Sequence, residues 1–161
     1  MAAVAGLVSA GASRVVVAAR RISAATDVAV ALAKRLPDAD VSGVALDAAR
    51  GVIEGADVVV NATPLGMKSD DDTPVPAQWL NPASRCFDMV YGTTYETSFR
   101  VAATQAGCVC ADGLGMLVAQ AALGIEIWAG LEKDSAPRES MRAAAQSELK
   151  ALTIEESVRA E

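Results

Sequence analysis

The residues able to do chemistry sit in three short stretches. Asp57-Val-Val-Val-Asn-Ala-Thr-Pro-Leu-Gly-Met67 passes from three valines into an amide and a hydroxyl. Pro64 cannot donate to a β-ladder and Gly66 permits a sharp turn, so the spacing predicts a buried strand that stops abruptly and presents Asn61 and Thr63 at its carboxyl edge. Such strand ends are where α/β proteins place their ligands. Cys86-Phe-Asp-Met-Val-Tyr91 is a second short apolar run ending in a phenol, and Asp112-Gly-Leu-Gly-Met-Leu-Val-Ala-Gln120 is a glycine-rich turn opening into a helix. Gln120 is the sole strongly polar residue of Leu117-Val-Ala-Gln-Ala-Ala-Leu-Gly124. An amide on such a face needs partners once buried. No histidine occurs among the 161 residues, which removes the Ser-His-Asp triad, the usual zinc sites and the commonest general base. Any proton transfer must use another group.

Bulk properties narrow the ligand class. The formal net charge is −6, with no basic run and few aromatics, which argues against nucleic acid and against an anionic membrane surface as partners. A small molecule is expected instead. Cys86, Cys108 and Cys110 form an odd set without a Cys-x-x-Cys pair; all fall in predicted strands and read as reduced core residues of a cytoplasmic protein. Asp70, Asp71 and Asp72 read as a solvated turn rather than a metal site. Residues 1–12 have neither the basic leader of a signal peptide nor the apolar length of a membrane span.

The elements that must position these groups alternate. A helix over 2–10 with Gly11 as its cap is followed by a strand over 14–19, and Ser23 is expected to cap a helix reaching Leu36, which Pro37 ends. A weaker strand covers 41–46, a short helix or loop 47–55, and the strongest strand 57–62. One helical turn over 76–80 is anchored by Trp79. Strands over 85–90 and 108–111 flank a helix over 97–106, a long apolar helix covers 114–129, and a terminal amphipathic helix spans about 138–158. This alternation predicts an α/β protein built as a doubly wound parallel sheet, a single domain over 1–161. A nucleotide-binding domain of that class opens with a strand and a Gly-x-Gly-x-x-Gly turn; here the residues begin within or at the edge of the first helix.

Together, Asn61-Ala-Thr-Pro-Leu-Gly-Met67, Asp88-Met-Val-Tyr91 and Asp112-Gly-Leu-Gly-Met-Leu-Val-Ala-Gln-Ala121 resemble the shikimate dehydrogenase family in the order and spacing of its motifs. The resemblance runs from Ala2 to about Ala145 and covers the family's C-terminal, Rossmann-like NADP-binding domain, without its first strand, its glycine-rich turn or its substrate domain. It implies reduction of 3-dehydroshikimate to shikimate with NADPH, in chorismate and aromatic amino-acid biosynthesis, with no metal. By position it implies cofactor contacts at Asn61, Thr63, Met89 and Gly113, and substrate contacts at Tyr91 and Gln120. Arg20 matches the arginine facing the adenosine 2′-phosphate, where a guanidinium suits a dianion and the lack of an acidic residue disfavours NAD. The family usually carries Asn-Arg-Thr there; Ala19-Arg20-Arg21 stands instead, with Arg21 as a substitute second cation. The family's threonine five residues beyond the tyrosine is replaced by Glu96, with Thr97 sixth, which implies a loop one residue longer.

The lysine and aspartate pair that the family uses for proton transfer has no counterpart in the sequence, so no catalytic residue is assigned. In a sheet ordered 3-2-1-4-5-6, the strand without a counterpart lies between those over 14–19 and 57–62. Their facing edges must close on each other, recruit a strand, or stay prone to aggregation. The implied partners are therefore the substrate, a missing N-terminal domain or a second copy in a homodimer. Two other readings stay open: a catalytically inactive NADP-binding or assembly module, and a dehydrogenase for quinate or an aminated analogue.

Overall fold

The computed structural model describes residues 1–91 and 95–159. They form two compact units, Met1–Ala56 and Asp57–Glu161.

In the first unit, α1 (Ala2–Ser9), β1 (Arg14–Ala19), α2 (Ile22–Ala33), β2 (Asp40–Ala45) and α3 (Arg50–Glu54) follow one another, with a 3-10 turn over Leu46–Ala48. The two strands run parallel, in register from Arg14↔Asp40 to Ala19↔Ala45. Parallel strands need a crossover between them, and α2 is that crossover. Its buried residues, Ala25, Ala29 and Leu32, recur at the four- and three-residue spacing of one helical face. Val4, Val15 and Leu32 form the centre of the core, with Val17, Val28 and Val41 packed against it. The small residues have a reason: a Cβ at Gly43 would lie 2.8 Å from backbone atoms of Ala25 and Thr26, so β2 can approach α2 this closely only without a side chain there. The helix starts at Ile22 rather than after Ser23, with Arg21 at the cap position and no side-chain cap bond.

In the second unit, β3 (Val58–Asn61), β4 (Arg85–Asp88) and β5 (Val109–Ala111) form a parallel sheet in that order. Helix α4 (Ser98–Gln105) connects β4 to β5, and α5 (Leu114–Ala129) and α6 (Arg138–Arg159) follow. Leu114, Val118 and Ala122 make an i, i+4, i+8 stripe on the buried side of α5, and the stripe continues into Glu126. The expected anchor of the turn over Ala77–Trp79 is corrected: Trp79 is only half-buried, while Val75 and Leu80 on either side are buried. Cys108 lies just before β5, not within it.

The strand succession is that of a doubly wound parallel sheet, in two pieces. β1 pairs with β2, and β4 pairs with β3 on one side and β5 on the other; the division falls between β1 and β3, where the 3-2-1-4-5-6 order has its first strand. Among the described residues, no helix is long and apolar enough to cross a membrane.

Candidate functional site

The carboxyl ends of β3 and β4 are adjacent because Asn61 and Asp88 are register partners. Both side chains are buried, Asn61 to 3% exposure and Asp88 to 0%. Asn61 Nδ2 donates to Asp88 Oδ1 at 2.9 Å and to the Leu65 carbonyl at 3.0 Å. Its Oδ1 accepts from the Thr63 amide at 3.0 Å and from Thr63 Oγ1 at 2.7 Å. An asparagine side chain has two donor hydrogens and two acceptor lone pairs, so all four are committed inside the protein. The sequence reading is corrected here: Asn61 does not present its amide to a ligand but shapes the turn that follows. Thr63 is the exposed polar group at this edge. Its hydroxyl also accepts from the Leu65 amide at 3.2 Å, which fixes its rotamer.

The turn is held from its far side as well. Asp71 Oδ2 accepts from the amides of Gly66 at 2.9 Å and Lys68 at 3.0 Å, and these backbone donors, Lys68's first, hold the Asp71 carboxyl below the usual value because they favour its charged form. The three aspartates are thus not simply a solvated turn. Tyr95 donates its hydroxyl to the Gly66 carbonyl at 3.2 Å.

Beyond β4, Met89 is half-buried and Gly113 is buried. The Gly113 amide donates to the Val90 carbonyl at 3.2 Å, and a Cβ at 113 would stand 2.4 Å from the Met89 carbonyl oxygen. Only glycine permits that approach, and it seats Met89 beside the start of α5. Asp112 Oδ1 accepts from the Leu114 amide at 3.1 Å and so satisfies one of the open donors of that helix's first turn. The structure therefore brings Asn61, Thr63, Met89 and Gly113 into one set of connected turns. Tyr91 is 46% exposed. Gln120 is exposed on α5, so the burial expected from its apolar neighbours is corrected: the inward face is that of Val118 and Ala122. Arg20 and Arg21 belong to the first unit, immediately after β1, and both are exposed. The expected longer loop after Tyr91 involves residues 92–94, which lie outside the described residues.

The residues present suit a dinucleotide by their chemistry. Exposed guanidiniums at the end of β1 can take a phosphate dianion, and the Thr63 hydroxyl keeps one lone pair free at the end of β3. Cys86, Cys108 and Cys110 are free; burial pushes the Cys86 thiol up to about 12 and Cys110 up to about 11, so both stay protonated and pack as small apolar groups.

Sequence reasoning missed four polar residues: Asp71, Asp88, Thr97 and Glu126. Thr97 carries a local signal, since it caps α4 by accepting from the Arg100 amide at 3.3 Å. Glu126 carries none: it is 3% exposed and accepts from the Ala136 amide and from the Arg138 guanidinium, both at 3.1 Å, joining α5 to the head of α6.

No family model matches the chain. A shikimate dehydrogenase (NADP(+)) from Moorella thermoacetica is 38% identical over 128 residues, covering 78% of this chain and 43% of the relative. The solved quinate dehydrogenase from Corynebacterium glutamicum in complex with NAD matches with a TM-score of 0.77 and 33% identity, over 88% of this chain and 49% of that one. The shikimate 5-dehydrogenase from Thermus thermophilus in complex with NADP(H) and shikimate matches with a TM-score of 0.67 and 30% identity, over 88% and 48%. The chain thus spans about half the length of the relatives it matches.

Proposed function

Because the chain belongs to the shikimate dehydrogenase family, we propose that it is the NADP-binding part of a shikimate dehydrogenase, which reduces 3-dehydroshikimate to shikimate with NADPH in chorismate biosynthesis. The observation that carries the reading is the match to an NADP(+)-dependent relative over 78% of the chain, joined to Arg20-Arg21 directly after the last residue of β1, Ala19, with no acidic residue there. Bound NADPH supplies a hydride to the substrate carbonyl.

The chain's own residues bind and orient. Arg20, with Arg21 beside it in sequence, takes the adenosine 2′-phosphate through charge-assisted bonds. The turn shaped by Asn61 offers Thr63 to the dinucleotide, and Met89 and Gly113 border the nicotinamide. Tyr91 and Gln120 hydrogen-bond the hydroxylated ring of the substrate. The proton for the developing alkoxide comes from the other half of the enzyme. In this reading both units belong to one dinucleotide-binding domain over 1–161, partnered by a substrate domain or a second copy, in the cytoplasm.

A second reading, a quinate dehydrogenase using NAD, is favoured by the likeness to the NAD-bound quinate enzyme. Titration of the purified chain with NADPH and NADH separates the two. The NADP reading expects tighter NADPH binding, weakened about tenfold by Arg20→Ala, with NADH unaffected. Equal affinities, or an Arg20→Ala variant that leaves NADPH binding intact, would sink it.

A further inference from the structure

Asp88 has no ligand role in this reading, yet among the described residues of the second unit it is the most enclosed carboxyl. Burying a carboxylate costs several kcal/mol unless donors surround it. Among the described residues three donors do, each from a different segment. The Asn61 side chain reaches Oδ1 from the end of β3 at 2.9 Å, the Val90 amide reaches the same oxygen at 3.1 Å, and Thr97 Oγ1 reaches Oδ2 from the head of α4 at 2.5 Å. Asn61, saturated in turn, passes that position on to Thr63 and Leu65. The Met89 amide donates to the Asn61 carbonyl at 3.0 Å, so the β3 turn and the segment leading to Tyr91 share one fixed point.

We propose that Asp88 is a positioning residue for the nicotinamide end of the cofactor site, acting through Asn61 and the Val90 amide to hold Thr63 and Met89 at a constant separation. The inference rests on the NADP reading above.

The test uses the 161-residue chain with Asp88→Ala, Asp88→Asn and Thr97→Val, and has two readouts. One is the affinity for NADP+ against that for 2′,5′-ADP, which lacks the nicotinamide. The other is amide hydrogen exchange at Thr63, Leu65 and Val90. Asp88→Ala is expected to weaken NADP+ by about tenfold or more while 2′,5′-ADP changes by no more than about twofold, and to speed exchange at all three amides. Asp88→Asn keeps an oxygen for Asn61 and Val90 and offers Nδ2 to the Thr97 hydroxyl, so it restores most of both. Should Asp88→Ala fail to fold, Thr97→Val removes one donor without opening a cavity and carries the same expectation at smaller size. An equal loss of both ligands, or unchanged exchange at Thr63 and Leu65, would overturn the inference. A parent chain that binds neither ligand would overturn the cofactor reading and the nicotinamide role with it, and the exchange rates distinguish that failure from a turn that Asp88 does not hold.

Discussion

The two units bury their strands by different means. Among the described residues, the buried side chains of the first unit are all apolar, with Val4, Val15 and Leu32 at the centre. Its ion pairs, Arg14 with Asp40 and Arg50 with Glu54, are exposed and contribute little. The second unit buries Asn61, Ser84, Asp88, Thr97 and Glu126. Apolar contacts are non-directional and tolerate small displacements, whereas a saturated hydrogen-bond network specifies one geometry. The first unit is thus a platform that offers arginines on its surface; the second has turns whose shapes are set by directional bonds. A ligand that must be held in one alignment needs the second kind of support.

Three experiments would break or sharpen this contrast. The largest effect is expected from Gly113→Ala. Its methyl group would collide with the Met89 carbonyl, and with backbone on both sides the strain cannot be relieved by a rotamer change. A loss of about 3 kcal/mol or more is expected by denaturant titration, with exchange accelerated around Met89 and Val90. An unchanged midpoint would show that the turn at Gly113 is not held against β4.

Next in size is Leu32→Ala in the first unit. Leu32 is 3% exposed and belongs to the Val4 and Val15 cluster, so its truncation should cost about 2–4 kcal/mol. The contrast requires the amide exchange of residues 61–65 to stay at parent rates. Coupled acceleration in both units would mean that the apolar platform and the polar turns are one cooperative body.

The smallest effect is the pH response of the α5–α6 junction. The Ala136 amide, followed by the Asp134 amide and Arg138, holds the Glu126 carboxyl below its ordinary value of 4.5. A carboxyl lowered in the folded state adds stability above its unfolded value, and that stability is lost as pH falls through the folded value. Exchange at Ala136 and Met141 should therefore rise in the parent chain only on acidification below about 4.5. Glu126→Gln should show the faster exchange at neutral pH and no such transition. A parent profile as flat as the variant's would remove the ionic contribution at this junction.

Much of this architecture was legible because strong local signals wrote it. Val15-Val16-Val17 and Val58-Val59-Val60 marked two strands, and the apolar run of α5 was read with the bounds the structure has, Leu114 to Ala129. The site was legible in part. Asn61, Thr63, Met89 and Gly113 do lie on connected turns, but their division of labour did not show: Asn61 is saturated internally and Gln120 faces outward. Neither fact has a local cause. The outward turn of Gln120 follows from which face of α5 packs inward, and the saturation of Asn61 needs Asp88, 27 residues away.

By itself, then, the sequence determined the alternation of strands and helices, the parallel pairing that such crossovers demand, and the absence of a histidine base, since periodicity, turn residues and composition act over a few neighbours at a time. Only the tertiary structure decided that the strands form two sheets, that Glu126 joins two helices, and that a carboxylate at the end of β4 holds the turn at the end of β3. Register brings Asn61 and Asp88 side by side, and burial then makes every unpaired lone pair costly, so the pairing of polar groups is a property of the folded neighbourhood rather than of any one segment.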